Sequence, residues 1–277
     1  MRFIFPILIL FFLCVQPCLA DNSNNSTKGD PFPRAAASYL VQVDGKTLWS
    51  HEPDRKLPIA SITKIMTSLI VLERCNLDDV VTISDSVKTE TGTRLGIRAG
   101  EKMKVRDLLA AALIKSACDA CVALADHVAG SEARFVEIMN KRAKELGLLN
   151  THFQNAAGHD HEENYSTANE IALLTRTALK NSFFKETVSL NSKRITTLNG
   201  KRVFNLRNTN DMLGSFQGAK GVKTGFTPQA GKCLVSLASR KGTNVMLVLL
   251  NSPRRWQTAD KMMEKAFTLK PVNMALR

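Results

Sequence analysis

Strands crowd the two ends of this chain, and helices fill its middle. At the front, residues 37–53 read ASYLVQVDGKTLWSHEP. The apolar run Leu40–Val43 meets an Asp44-Gly45 turn before a second strand, which is the pattern of a hairpin. At the back, GAKGVKTG, GKCLVSLASRKG and TNVMLVLLN are short β-rich runs joined by Gly-containing turns. They predict an antiparallel meander, closed by the helical stretch RRWQTADKMMEKAF. Sequence order of this kind builds one sheet from both termini, with the helices as an insertion. The fold class is therefore α+β and not doubly wound.

The inserted middle is helical by its periodicity. After Pro58 comes SITKIMTSLIVLER, where Ile62, Ile65, Met66, Leu69, Ile70 and Leu72 recur at helical spacing over a broad, buried face. Residues 78–105 are rich in turn formers and predict loops with short ribbons. VRDLLAAALIKSACDACVALADHVAG holds two helical runs that part around Lys115-Ser116. SEARFVEIMNKRAKELGL is amphipathic, with Ser131 as its cap and Gly147 as its stop. A loop then leads to a helix capped near Ser166 or Thr167. There are no internal repeats.

Not all 277 residues belong to that fold. The chain opens MRFIFPILILFFLCVQPCLA, with one basic residue, an apolar run from Phe3 to Val15, and small residues before a cut after Ala20. That is the layout of a signal peptide over residues 1–20. The run is shorter than the ~20 residues of a membrane span; an uncleaved N-terminal anchor is the alternative. Residues 21–34 are polar, hold two prolines and read as a flexible linker. The folded part then runs over residues 35–277. Net charge is +13, and +12 once the leader with its single Arg2 is removed. A basic, exported surface draws anionic partners, here a cell wall or membrane face. No Arg-rich run or zinc spacing points to nucleic acid. Four cysteines remain outside the leader, Cys75, Cys118, Cys121 and Cys233. They are too few for a disulfide scaffold of this size.

Ser61 and Lys64 stand three residues apart at the front of the buried helix. Side chains at that spacing meet on a helix. A serine hydroxyl needs a base within hydrogen-bond reach, and a lysine can serve only while neutral, which burial and a neighbouring cation favour. At a helix N-terminus, backbone N–H groups would stabilise an oxyanion. The pattern alone is weak, because a helix cap with a solvated lysine has the same spacing. A second Ser-x-x-Lys, Ser182 to Lys185, stands at what reads as a helix end. Two more elements sharpen the first: SAC, residues 116–118, between two helices, and KTG, residues 223–225, on a strand. A strand edge at KTG can pair with an extended peptide while Lys223 and Thr224 hold a terminal carboxylate. Gly225 would let a ligand approach the backbone.

SxxK, Sx– and KTG in that order resemble the serine penicillin-recognising enzymes. The phrases PIASITKIMTS, SACDACVALADHVAGS, ELGLLNTHFQNAAG, YSTANEIALL and GVKTGFTPQAGKCLV resemble the D-alanyl-D-alanine carboxypeptidases among the low-molecular-mass penicillin-binding proteins. The likeness covers roughly residues 35–267. It implies a β-lactamase/transpeptidase-like fold, an antiparallel five-stranded sheet flanked by helices, with residues 35–277 as the catalytic domain. It implies removal of the terminal D-Ala from peptidoglycan stem peptides through an acyl-enzyme, inhibition by β-lactams, and a site in the periplasm or at the outer face of the cytoplasmic membrane. Ser61 would be the nucleophile, Lys64 its proton acceptor and Ser116 a proton relay. Lys223, Thr224 and Gly225 would bind substrate, with the backbone N–H groups of Ser61 and Phe226 as oxyanion hole. Arg255, with Arg254 as the near alternative, would help hold the substrate carboxylate.

One motif position departs from that family. Cys118 stands where an Asn is usual, and a thiol is a weaker donor and acceptor than an amide. Weakened or altered catalysis is the expectation. Cys118 and Cys121 also form C-x-x-C, a spacing that can be redox-active at a helix N-terminus. The rival readings are a DD-endopeptidase of the same fold, a β-lactamase, and a non-catalytic wall-binding relative. A β-lactamase needs a deacylating acid pattern that GHDHEENYS does not supply. His159, Asp160, His161 and Glu162 cluster without HExxH spacing, so no metal ligand and no cofactor is expected.

Overall fold

The computed structural model describes residues 30–269. The expected leader at residues 1–20, most of the stretch 21–34 and residues 270–277 lie outside them. From Asp30 on, the chain is docked: Phe32 packs edge-on against Trp49, ring centroids 5.5 Å apart.

The front hairpin pairs β1 (Ser38–Val43) with β2 (Lys46–His51). Its turn residues Asp44 and Gly45 both take positive φ, 48° and 82°, the requirement of a tight hairpin turn that matches the strand twist. After β3 (Leu57–Pro58), a 3-10 turn over Ala60–Thr63 runs straight into α1 (Lys64–Arg74). Ile65, Met66, Leu69, Ile70 and Val71 of α1 are buried. Each such side chain contributes about 1.5–3 kcal/mol on removal from water. The turn-rich stretch holds the ribbon β4 (Val80–Thr82) and β5 (Lys102–Lys104). The helical middle continues through α2 (Val105–Ala110), a π-helical turn over Ala111–Lys115, α3 (Cys118–Ala129) and α4 (Glu132–Glu145). Ser131 caps α4 by accepting from Arg134 N at 3.3 Å, and Gly147 follows it at φ 76°. β6 (Tyr165–Ser166) pairs with β3, and α5 (Ala168–Ala178) starts at Thr167, whose hydroxyl accepts from Glu170 N.

Two local features differ from the sequence expectation. Ser182 does not end a helix; it opens α6 (Ser182–Val188), capped by Asn181. The chain then forms a hairpin, β7 (Ser192–Thr196) with β8 (Val203–Arg207), that the sequence reading passes over. Within these two strands only Ile195 and Leu206 are buried, so the alternation is nearly lost among basic and polar residues.

The back meander is β9 (Ala219–Thr227), β10 (Gly231–Arg240) and β11 (Thr243–Leu250), followed by α7 (Arg255–Thr268). All pairings in the main sheet are antiparallel, in the order β2-β1-β11-β10-β9. The two halves of the chain join where β1 pairs with β11, Ser38 opposite Leu250 through Val43 opposite Val245. Side chains alternate between two cores. Tyr39, Val41, Leu234, Leu247 and Leu249 pack with Met262 and Met263 of α7. Leu40, Val235, Val248 and Leu250 pack with α1, α3 and α5 on the other face. The sheet is thus buried on both sides, which fixes its register because a one-residue slip would exchange the two cores. It leaves β9 at one edge, beside the helical region.

Asp119, in the first turn of α3, ties the turn-rich stretch to that region. Its two carboxylate oxygens accept from the N–H groups of Leu95, Gly96 and Ile97 at 2.8, 2.7 and 3.2 Å, and the residue is 1% exposed. Removing the acceptor leaves buried donors unpaired. Asp119→Ala is expected to lower stability by about 3 kcal/mol and Tm by roughly 6–12 °C. Thermal denaturation followed by circular dichroism checks this; a Tm within 2 °C of wild type, roughly 1 kcal/mol or less, would show that the loop is held by other means.

Candidate active site

Lys64 is fully buried, and all three hydrogens of its ammonium find acceptors. Nζ donates to Ser61 Oγ at 2.8 Å, to the Ala157 carbonyl at 2.6 Å and to Cys118 Sγ at 3.4 Å. The expected meeting of Ser61 with Lys64 therefore occurs, across the junction of the 3-10 turn and α1 and not within one regular helix. Ser61 makes no side-chain cap. The residue before it, Ala60, is held at φ 49°, a conformation that costs a non-glycine residue about 1 kcal/mol or more and recurs at functional sites.

Two glycines let the neighbouring chain press against this turn. A Cβ on Gly158 would lie 2.0 Å from the Ala60 carbonyl oxygen. One on Gly225 would lie 2.9 Å from Ile59 O and 3.3 Å from Ser61 N. Gly225 thus admits the serine-bearing backbone against β9. The sequence reading names a ligand for such an approach; here the protein's own backbone is a near partner.

Ser116 sits where the π-helical turn breaks, at φ 63°. Its hydroxyl accepts from Lys223 Nζ at 3.0 Å, and Nζ also reaches the Thr224 carbonyl at 3.0 Å. Among the described residues, no hydrogen bond joins Ser116 Oγ to Ser61 or Lys64. Lys223 is fully buried; burial first, then the charge of Lys64, push it down to about 7. Near neutral pH it is thus partly an uncharged amine, whose two hydrogens match its two acceptors. Thr224 Oγ1 bonds Thr209 Oγ1 at 2.6 Å. Phe226 is 61% exposed at the end of the edge strand. Of the two arginines, Arg255 is the one at the site. Its Nη1 donates to Gly225 O at 2.8 Å and to Cys233 O at 3.2 Å, bracing β9 from behind.

Cys118 opens α3 beside Lys64, and two residues that the motif reading did not bring to it complete its surroundings. His159 comes from the loop that supplies Ala157, and Glu90 from the turn-rich stretch; their side chains meet at 2.5 Å. Burial raises the Cys118 thiol, but His159 and Lys64 outweigh it and hold the thiol below its ordinary range. Contact with that sulfur and with Glu90 pushes His159 up to about 10 against its burial. Cys121, wholly buried one turn on, is pushed up to about 12 by burial. All four described cysteines are free. His159 stands out in the sequence only as part of GHDHEE, and Glu90 carries no local signal. Asp160 and His161 are engaged elsewhere: Asp160 accepts from Gln229 N, and His161 Nδ1 from Glu163 N.

The buried lysine gives a signed pH dependence. The folded pKa of Lys223, about 7, lies below its ordinary 10.5. The unfolded chain therefore holds the extra proton between those values, and stability rises with pH across that window. Below pH 7 the penalty is complete. Lys223→Met removes it, so wild type should gain on the variant by up to ~4 kcal/mol between pH 7 and 10. Urea unfolding of both proteins across that range measures the gap; a constant gap would mean that Lys223 titrates alike in both states.

Residues 25–254 match the D-alanyl-D-alanine carboxypeptidase family, peptidase S11. Among curated relatives, a D-alanyl-D-alanine carboxypeptidase of Streptomyces sp. strain K15 is 38% identical over 244 residues, which cover 81% of this chain and 84% of that protein. The carboxypeptidase DacF of Bacillus subtilis is 34% identical over 243 residues, 84% of this chain; the match spans 62% of DacF. The crystal structure of the Streptomyces K15 DD-transpeptidase superposes with a TM-score of 0.81 at 34% identity, covering 87% of this chain and all of that one. With the sheet order, the Ser61–Lys64 pair and the KTG edge strand already in place, this chain belongs to the D-alanyl-D-alanine carboxypeptidase family.

Proposed function

We propose that the protein is a serine-type D-alanyl-D-alanine carboxypeptidase that removes the terminal D-Ala from peptidoglycan stem peptides outside the cytoplasm. The observation that carries this reading is the 2.8 Å bond between Ser61 Oγ and the buried amine of Lys64.

The chemistry follows from that bond. When Lys64 is neutral, the bond reverses and Ser61 O–H donates to Nζ. Ser61 Oγ then attacks the carbonyl of the penultimate residue, its proton passes to Lys64, and an ester forms as the C–N bond breaks. The leaving amine needs a proton. Lys223 and Ser116 stand as a bonded pair at 3.0 Å that can deliver one, because Lys223 changes charge near neutral pH. Water then cleaves the ester. The extended substrate pairs with the open edge of β9, with its carboxylate toward Lys223 and Thr224. The Ser61 and Phe226 N–H groups face the developing oxyanion in this reading. Arg255 supports Gly225 and adds positive charge behind the strand. A β-lactam acylates Ser61 by the same route and leaves slowly.

Purified protein incubated with muropeptides should release free D-Ala, with dimers left whole, and a fluorescent penicillin should label Ser61 stoichiometrically. Ser61→Ala should abolish both. Split dimers without free D-Ala would favour an endopeptidase; no labelling and no release would leave only a wall-binding relative.

Cys118 gives Lys64 its weakest acceptor. An Asn amide oxygen in its place would form a stronger bond and also offer a donor to substrate. Cys118→Asn is expected to raise penicillin acylation by several-fold, on the order of 1 kcal/mol. Stopped-flow labelling measures the rate, and a sharp fall would show that the thiol itself serves the reaction.

A further inference from the structure

Three segments with no sequence proximity meet beside Lys64. Glu90 lies in the turn-rich stretch, Cys118 is the first residue of α3, and His159 lies in the loop after α4. A carboxylate oxygen, the Sγ and a ring nitrogen from these residues all lie within 4.8 Å of one another. Cys118 is buried and Glu90 and His159 are half-buried.

We propose that Glu90, Cys118 and His159 form a binding site for a divalent cation of the zinc class. The donor set is thiolate, imidazole and carboxylate, the combination that zinc accepts in tetrahedral coordination. With bonds of about 2.0–2.3 Å, the ligand atoms around such an ion stand roughly 3.5 Å apart. Atoms already within 4.8 Å reach that by small rotamer shifts. Three protein ligands leave a fourth position for water.

The surroundings hold these ligands in place. The His159 carbonyl accepts from Asn155 Nδ2 at 3.2 Å and from Asn164 Nδ2 at 3.1 Å, and His159 N donates to Asn155 Oδ1 at 2.9 Å. Asp119, next to Cys118, grips Leu95–Ile97 just past Glu90. Gly92 closes the group with no side chain; a Cβ there would sit 3.4 Å from His159 Cε1 and 3.5 Å from Cys118 Sγ. The ion would bind two loops to the start of α3 and draw the sulfur away from Lys64. Lys64 opposes it, since the ammonium lies 3.4 Å from the same sulfur. Metal occupancy and the Lys64–Cys118 bond are therefore alternative uses of one atom. The site stands on its donors alone and does not depend on the peptidase reading.

A second group, Cys75, Asp79 and His127, also brings three donors within 4.8 Å. His127 is exposed and Asp79 Oδ2 already accepts from Asn76 N, so this group serves as the internal control. The test titrates the reduced protein with Co2+ under anaerobic conditions and reads the sulfur-to-cobalt charge-transfer band. One equivalent should produce the band, and Zn2+ should displace it. Zn2+ at about 100 times its Kd should raise Tm by ~5–10 °C. Cys118→Ser and Cys118→Asn should each abolish the band while keeping the wild-type circular dichroism. His159→Asn, which keeps the sulfur, should weaken binding at least about tenfold. Cys75→Ser should change nothing. No band in the wild type, a band that survives both Cys118 variants, or a band lost in Cys75→Ser would overturn the assignment.

Discussion

A buried ammonium governs this molecule. Lys64 has no contact with water, so each of its hydrogens must find an oxygen or sulfur within the fold. The three it finds come from different places: Ser61 on the preceding turn, Ala157 on a loop beyond α4, and Cys118 at the head of α3. The carbonyl of Ala157 is aimed at Nζ because Gly158 lets the loop lie flush on Ala60. Cys118 is aimed at it because the π-helical turn ends in a left-handed Ser116 and restarts as α3. The same constraint that satisfies the lysine therefore assembles the cleft. None of the three acceptors is a carboxylate, so the charge is solvated by dipoles and not neutralised by a partner.

The second lysine completes the electrostatics. Lys223 is also fully buried, and the charge of Lys64 acts on it. Burial first, and then that charge, disfavour a proton on Lys223, whose acceptors are a serine hydroxyl and a carbonyl. Near neutral pH Lys223 therefore changes charge while bonded to Ser116. Both serines adjoin strained backbone: Ala60 precedes Ser61, and Ser116 itself is left-handed. Strain of this kind persists only where packing over-determines the backbone. Here the packing is the α1 face on one side and β9 on the other.

Much of this was legible before the structure. The two-ended sheet followed from where the β-rich runs fall, and residue type pointed to the cap at Ser131 and narrowed the other to Ser166 or Thr167, of which Thr167 serves. Ser61, Lys64, Ser116 and Lys223 were legible because the motif order carries them and i,i+3 spacing is a local rule. The β7–β8 hairpin was not, because Ile195 and Leu206 alone cannot signal a period of two. Gly225 was read for close approach but without its protein partner, since local sequence does not reveal which backbone will press on a glycine. Glu90 and His159 lay beyond reach for the same reason. Their meeting depends on how two long loops cross, and no spacing rule links residues 69 positions apart.

That last contact changes how the Cys118 position is understood. Read as a motif letter, a thiol in place of an amide is only a loss, since it offers Lys64 a long, weak acceptor. Read in place, the sulfur has neighbours that an amide would not use in the same way. A histidine held by a carboxylate stabilises negative charge on sulfur, and Lys64 adds to it. The sulfur is thus polarised between two cations, one belonging to the serine chemistry and the other to the Glu90–His159 pair. Whatever alters the second must be felt by the first, because Lys64 is bonded to that sulfur and His159 brings a ring nitrogen within 4.8 Å of it. The position is better described as a junction between two charged groups than as a degraded motif.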